Sequence, residues 1–280
     1  MVTAADLRFM MRQNFAGAVA AVLIVVLMIV ALIGPYVVPY DPLATNLRQV
    51  LRPPSADYWF GTDHLGRDIF SRVVVAARLD FAIAIMAVSL SAVVGVSIGA
   101  LSGYVGGWLD RILGRFVDVM MAFPLFVAAM ALVAVLGNSV QSIVLATAII
   151  NVPFYFRLMR AEIKARREAG YVEAAIINGN TMPQIIFGFL VPNSLPPVIV
   201  QISLNLGWAI LNTAGLAFIG LGVAPPTPEW GIMIQEGAAM MISGQWWVVV
   251  FPGLALALAV FCFSLLGDAI RDMMDPRRRS

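Results

Sequence analysis

Charged residues, histidine and cysteine are scarce in this 280-residue chain, and each shortage excludes a class of protein. Charged residues make up 12% of the sequence and hydrophobic residues 61%. In soluble domains, charged residues make up about 25% and apolar residues about 45–50%. The composition therefore predicts a protein that lies in lipid. The single cysteine, Cys262, excludes an internal disulfide framework. The single histidine, His64, has no cysteine nearby with which to form a metal site.

Lysine occurs only once, and this shortage excludes a nucleotide-binding P-loop. That loop requires Gly-x4-Gly-Lys-Ser/Thr, because the lysine and the backbone N–H groups hold the phosphates. Lys164 lies in Glu-Ile-Lys-Ala-Arg-Arg, with no such glycines. We therefore expect no catalytic residue and no cofactor in this chain.

Five long charge-free runs predict six spanning helices, because a helix needs roughly 20 apolar residues to cross the hydrocarbon core. The run over 119–156 is too long for one span and is divided at 137–139, while the run over 174–228 supplies only one. The predicted fold is an all-α integral membrane protein of one domain. Its spans are expected at about 16–38, 81–103, 113–136, 140–160, 194–222 and 246–268.

The first apolar run has a second interpretation, since Arg8 and Arg12 before it could begin a secretory signal. That run has 26 residues, more than the hydrophobic region of a signal. It ends in a proline-rich stretch and not in the small residues of a cleavage site. The sequence favours a retained helix.

The arginines predict the orientation, because cytoplasmic loops carry an excess of Lys and Arg. Thirteen of the 18 basic residues fall on one side if the N-terminus is inside, and the turns at 137–141 and 223–245 contain none. Segment 41–80 has five arginines balanced by five aspartates and is predicted to be an outer loop with an interfacial helix. Both termini are placed in the cytoplasm. The net charge of +2 is small, so nucleic acid is not an expected partner.

Segment 166–183, between the fourth and fifth predicted spans, is the most informative stretch for function. Most residues of 167–178 are good helix formers. Small residues leave one side of this helix almost bare, so that it can approach a groove on another protein closely. The residues assigned to that contact are Tyr171, Glu173, Ala174, Ala175 and Gly179. A short amphipathic helix on the inner leaflet is the alternative.

This segment resembles the EAA loop of ABC importer permeases, Glu-Ala-Ala-x3-Gly-x9-Ile-x-Leu-Pro. Five positions match in register, and Phe and Val replace the Ile and Leu: the matches are Glu173, Ala174, Ala175, Gly179 and Pro192. In that family the loop forms a coupling helix that sits in a cleft of the cytoplasmic ATPase. The resemblance implies a type I importer fold and the same role for this segment.

Residues 60–72, 224–231 and 266–277 resemble signatures of the dipeptide, oligopeptide and nickel branch and of its C-type subunit. This resemblance implies an inner-membrane subunit, not itself an enzyme, that forms half of the translocation pathway of an importer for dipeptides or oligopeptides. The expected partners are membrane lipid, a B-type sister permease, an extracytoplasmic solute-binding protein and two ATPase subunits or domains. The ATPases are expected to hold ATP and Mg²⁺.

Two other functions remain open from the sequence. An importer of nickel, glutathione or another small solute would share almost all of these motifs. A stand-alone ion-coupled carrier or channel would place ionisable residues deep in the bilayer. The candidates are Asp118 and Asp268, and the simpler interpretation of Asp118 is pairing with Arg115 at the surface.

Polar residues elsewhere carry weaker predictions. Asn205 and Asn212 are one heptad apart and share a helix face within about 20°, with Thr213 beside it. They either line the solute path or hold the bundle together by interhelical hydrogen bonds. An ion network around Arg67 is expected to fix the interfacial helix, with Asp63, Asp68 and Arg72 as the other members, and contact with the solute is the alternative. Residues 231–243 are predicted to form a short gate-like helix.

Overall fold

The computed structural model describes residues 15–274, and within them the chain is helical apart from turns, loops and one isolated β-bridge. The arginines predicted to lie inside at 8, 12 and 277–279 fall outside the described residues. The helices are α1 (Phe15–Val37), α2 (Ile69–Val105), α3 (Gly107–Met121), α4 (Leu125–Leu136), α5 (Val140–Arg166), α6 (Gly170–Ile177), α7 (Leu195–Phe218), α8 (Trp230–Met241) and α9 (Trp247–Met274). A 3₁₀ turn covers Leu47–Gln49, and a π-helical segment, Gln184–Leu190, continues into Val191–Asn193.

Five of these helices, α1, α2, α5, α7 and α9, are long and apolar enough to cross a membrane. The pair α3 and α4 supplies a sixth span only if the two helices are counted together. The predicted all-α membrane architecture is confirmed.

The third predicted span, 113–136, is not one straight helix. It is divided between α3 and α4, which meet at an angle of 92°. The break has a local cause: Pro124 precedes α4, and a proline disfavours the α conformation of the residue before it. The result is an amphipathic α3 followed by a short apolar α4.

The second predicted span also differs from the structure, because α2 begins twelve residues before residue 81. The Asp68 carboxylate accepts a hydrogen bond from the Ser71 backbone N–H and caps the helix there. The interfacial helix expected within 41–80 is therefore the first part of α2. The remaining predicted spans lie within a few residues of α1, α5, α7 and α9, except that α5 and α9 each extend about six residues further.

The most extensive helix packing is between α2 and α5. Gly95, Gly99 and Gly103 recur every four residues along α2 and face α5. A Cβ at Gly99 would lie 2.6 Å from the carbonyl oxygen of Phe156, and one at Gly103 would lie 2.8 Å from that of Arg160. Small residues at this spacing let two backbones approach in lipid, where no hydrophobic force drives helices together.

The bundle has two ends, which are named here by the short helices that lie there. The α6 end contains the C-terminal parts of α2 and α5, together with α3 and α6. The α8 end contains the loop before α2, the first residues of α9, and α8 itself. Gly34, near the end of α1, packs against Val74, near the start of α2, so α1 begins at the α6 end. Gly267, in the last part of α9, packs against Leu204, in the first half of α7, so α9 finishes at the α6 end. Both ends of the described chain therefore lie at the α6 end.

Candidate functional site

Helix α6 is held on the bundle by one side and exposed on the other. Val172 and Ala175 are buried in the main core. Tyr171, Glu173 and Ala174 are exposed. Ala175 was expected on the bare face but packs against this chain, so only part of the predicted contact surface is free.

Gly179 ends α6 in a left-handed conformation, with φ of +78°. Its N–H donates to the Ile176 carbonyl at 2.9 Å, and the Asn180 N–H donates to the Ala175 carbonyl at 3.1 Å. These two bonds form a Schellman motif, in which glycine is the usual residue at the left-handed position. The glycine of the motif is thus explained by the helix end as well as by its small size.

Also at the α6 end, the first turn of α3 is bound to α5 by a partly exposed ion cluster. The Asp110 carboxylate accepts from Arg160, from Lys164 at 2.6 Å and from the Ser102 hydroxyl at 2.7 Å. One turn from the end of α3, Asp118 pairs with Arg157 at 2.6 Å, and both side chains are about half exposed. The expected pairing of Asp118 with Arg115 is therefore wrong, because an arginine from the neighbouring helix is closer.

The α8 end contains a buried ion network. Arg67 donates to Asp63 at 2.6 Å and to Glu236 of α8 at 2.8 Å. Arg72 lies 3.7 Å from Asp63 and 3.6 Å from Glu236, and it donates to the Pro42 carbonyl at 3.1 Å. The predicted network exists, but Glu236 completes it and Asp68 serves as the cap of α2. Because both guanidiniums are 1% exposed, the network joins the loop to α8 away from water.

Asp63, His64 and Glu236 bring possible metal ligands within 4.8 Å of one another. Both carboxylates already bond Arg67, so their charge is neutralised within the protein. A cation would have to displace the guanidinium from both partners. The arrangement is that of an ion-pair network.

Two further buried carboxyls, those of Glu229 and Asp80, fix the start of α8. Glu229 caps the helix by accepting from the N–H groups of Gly231 and Ile232 at 2.9 and 2.7 Å. Asp80 of α2 accepts from the Trp230 N–H at 3.3 Å, and the indole N–H of Trp230 donates to the Val73 carbonyl. Burial raises the pKa of Glu229 to about 7, while the hydrogen bonds from the cap oppose that rise.

Comparison with known proteins assigns the chain to one family. The family described as binding-protein-dependent transport system inner membrane component matches residues 95–280, which include α3 to α9. The chain belongs to this family. The family described as N-terminal TM domain of oligopeptide transport permease C matches residues 5–54. The chain is thus the C-type permease subunit of an ABC importer and a multi-pass protein of the inner membrane.

Curated relatives are similar to the permease over nearly its whole length. The dipeptide transport system permease protein DppC of Alkalihalophilus pseudofirmus is 40% identical over 96% of this chain and 88% of its own. The glutathione transport system permease protein GsiD of Pectobacterium atrosepticum is 39% identical over 98% of this chain and 90% of its own. Both comparisons support the predicted class of transporter.

A solved structure has the same fold. A chain of the MetNI methionine ABC transporter, in inward-facing conformations, matches with a TM-score of 0.59 over 73% of this permease and 97% of that chain. The sequence identity is 18%, so this likeness concerns the fold alone. It confirms the type I importer architecture expected from the sequence.

The polar residues of α7 lie at helix contacts inside the permease. Asn212 donates to the Thr147 hydroxyl of α5 at 3.2 Å, and Asn205 accepts from Gln201 at 2.9 Å. All three expected pathway residues, Asn205, Asn212 and Thr213, are buried. The bond of Asn212 joins α7 to α5, whereas the bond of Asn205 lies within α7. The interhelical interpretation therefore holds for Asn212, and a role of the three residues in the solute path stays a prediction.

Sequence reasoning did not find the partners that complete the α8 end. Glu236 is 169 residues from Arg67, and Asp80 is 150 residues from Trp230. No local spacing signals such pairs. The only hint was compositional: Arg72, Arg78 and Asp80 are the charged residues of a long and largely apolar helix, where a buried charged side chain needs a partner.

Proposed function

We propose that this permease forms half of the pathway of an ATP-driven importer for dipeptides or oligopeptides, and that α6 receives the movement of an ATPase. The observation that carries the proposal is the exposed side of α6. It presents Tyr171, Glu173 and Ala174 outward, while Val172 and Ala175 fix the helix to the bundle. A force applied to such a helix is transmitted to the spanning helices.

The same proposal specifies the assembly. A B-type sister permease completes the pathway, a solute-binding protein delivers the solute at the α8 end, and two ATPase subunits or domains hold ATP and Mg²⁺. The α6 end faces the cytoplasm, with both termini on that side. The support is the basic residues of that end, at 157–167, and the position of the described chain ends.

The nature of the solute rests on the relatives. DppC relatives are named for dipeptides and GsiD relatives for glutathione, which is itself a short peptide. Uptake of a labelled dipeptide, of glutathione and of Ni²⁺ by the complete transporter separates these candidates. We expect the dipeptide to be taken up fastest, and exclusive uptake of either of the others would contradict the peptide assignment.

Substitution of Glu173 tests the coupling role. In the reconstituted transporter with its sister permease, ATPases and binding protein, Glu173→Lys is expected to reduce solute-stimulated ATP hydrolysis at least tenfold, in line with about 2 kcal/mol or more for a contact at the centre of an interface. The variant should still be inserted in the membrane, because Glu173 is exposed and has no ion pair among the described residues.

The matched control is Glu168→Lys, the same charge reversal at an exposed residue that lies before α6. It is expected to retain stimulation. Normal stimulation in Glu173→Lys would refute the coupling role. Solute uptake by the purified permease alone, in vesicles without ATP, would instead establish the stand-alone carrier.

A further inference from the structure

Helix α3 has an exposed apolar stripe that no element of the described chain covers. Trp108, Ile112, Phe116 and Val119 recur at helical spacing, and each is between 57% and 72% exposed. The opposite side of α3 is buried through Asp110 and Val117. The helix therefore lies against α5 with one face and leaves the other open.

A basic edge separates these two faces. Arg111 and Arg115 are one turn apart on α3 and exposed. Together with α5 they line a cavity of about 190 Å³ that contains four arginines and two aspartates: Arg111, Arg115, Arg157, Arg160, Asp110 and Asp118. The cavity thus has an excess of two positive charges.

The two excess positive charges are those of Arg111 and Arg115 on α3. Asp110 is bound by Arg160 and Lys164, and Asp118 is bound by Arg157. Among residues 15–274, neither Arg111 nor Arg115 has a carboxylate within ion-pair distance. Two guanidiniums therefore remain in the cavity without a negative partner from the described part of the chain.

We propose that this cavity binds the headgroup phosphate of an anionic phospholipid from the leaflet at the α6 end. Guanidinium donors match the geometry of phosphate oxygens. The apolar stripe next to them would lie at the boundary between headgroups and acyl chains, as in helices that lie in the membrane plane. The 92° bend between α3 and α4 allows α3 to leave the direction of the spanning helices.

Two other occupants have the same charge but fit the surface less well. Free phosphate would use the arginines but not the apolar stripe. An acidic surface of an ATPase would bind the arginines but would leave the apolar stripe facing either protein or water. An anionic lipid binds the arginines with its phosphate and places its acyl chains next to the stripe. This proposal is independent of the coupling role of α6, since none of its residues belongs to that helix.

The test uses the complete transporter reconstituted in vesicles of equal parts phosphatidylglycerol and phosphatidylcholine, followed by extraction in detergent and measurement of the retained lipid. Wild type is expected to retain phosphatidylglycerol preferentially. Arg111→Gln with Arg115→Gln should weaken this preference by about fivefold for each arginine removed, since each basic side chain near an anionic surface contributes about that much.

Control variants distinguish a local site from general charge. Arg48→Gln with Arg52→Gln removes the same charge from exposed positions outside the cavity, at the α8 end, and should keep the preference. Arg111→Lys with Arg115→Lys keeps the charge and should keep most of it. Elution of each complex on size exclusion checks folding, which these exposed positions should not disturb.

Three results would overturn the proposal. The first is equal retention of phosphatidylglycerol by wild type and by the glutamine variant. The second is complete displacement by an excess of inorganic phosphate, which would show that the cavity recognises free phosphate. The third is preferential retention that appears only after the ATPases are removed, which would show that an ATPase surface occupies the cavity.

Discussion

The two ends of the bundle use charged residues in opposite ways. At the α8 end, Arg67, Arg72, Asp63 and Glu236 form a network with little or no access to water. At the α6 end, the pair of Arg157 and Asp118 is half exposed. Buried pairs are costly to break, whereas exposed pairs contribute little. The α8 end is therefore fixed internally, while the α6 end keeps its charges available to other molecules.

The short helices of the two ends repeat this contrast. Helix α8 is capped by buried Glu229 and packs so closely that a Cβ at Gly231 would lie 2.3 Å from the Ala214 carbonyl oxygen. Helix α6 has an exposed side, and a Cβ at Gly179 would meet nothing within 4 Å. Of these two short helices, only α6 leaves room for a partner, as the proposed coupling role requires.

The largest expected effect is on stability, and it is tested by two single variants that each lose one arginine, one at each end of the bundle. Arg67→Met leaves Asp63 and Glu236 buried with only the more distant Arg72, and should cost about 3–5 kcal/mol of stability. Arg157→Met removes a half-exposed pair and should cost under about 1 kcal/mol. The measurement is the midpoint temperature of heat unfolding of the two purified variants in detergent. Equal shifts would contradict the difference between the ends.

The second prediction concerns the pH dependence of the α8 end. Burial raises the pKa of Glu229 to about 7 from its ordinary 4.5, so the fold favours the protonated carboxyl. The stabilising contribution is complete below pH 4.5 and is lost as the pH rises to 7. The loss is on the order of 3 kcal/mol, since one pKa unit corresponds to about 1.4 kcal/mol.

Glu229→Gln tests this sign, because glutamine stays neutral at every pH. The decrease in unfolding temperature between pH 5 and pH 8 should be smaller in this variant than in wild type. Glu168→Gln, at a residue that is 83% exposed, should follow wild type. A decrease of the same size in Glu229→Gln and in wild type would show that other groups set the pH dependence.

The sequence predicted the α6 end better than the α8 end, for a physical reason. Charge-free runs located the spanning helices, and the glycine of the coupling motif coincides with the end of α6 at Gly179. Helix ends and apolar runs depend on residues close in sequence. The local signal for the bend at Pro124 was also present, although the long apolar run concealed it.

The parts that sequence reasoning missed depend on distant contacts. The charges at 72, 78 and 80 made the start of α2 resemble a loop, yet Arg72 and Asp80 are buried against residues near 230. Glu236, far along the chain, offsets the cost of burying the Arg72 charge, and the backbone N–H of Trp230 donates to the Asp80 carboxyl. Ala175 was misplaced for the same reason, because the packing of α6 on the bundle decides which side remains free.

The smallest expected effect separates two roles of Gly179. If the left-handed φ is what requires glycine, Gly179→Ala should cost about 1 kcal/mol, and Gly179→Asn should cost less, because asparagine adopts this conformation more readily. If close approach to the ATPase is what requires it, the larger asparagine should reduce solute-stimulated ATP hydrolysis more than alanine. Unfolding temperature and stimulated ATPase activity should therefore rank the two variants in opposite orders. The same ranking in both measurements would mean that the coupling defect is a consequence of a weakened end of α6 and not of a surface that the partner needs to be bare.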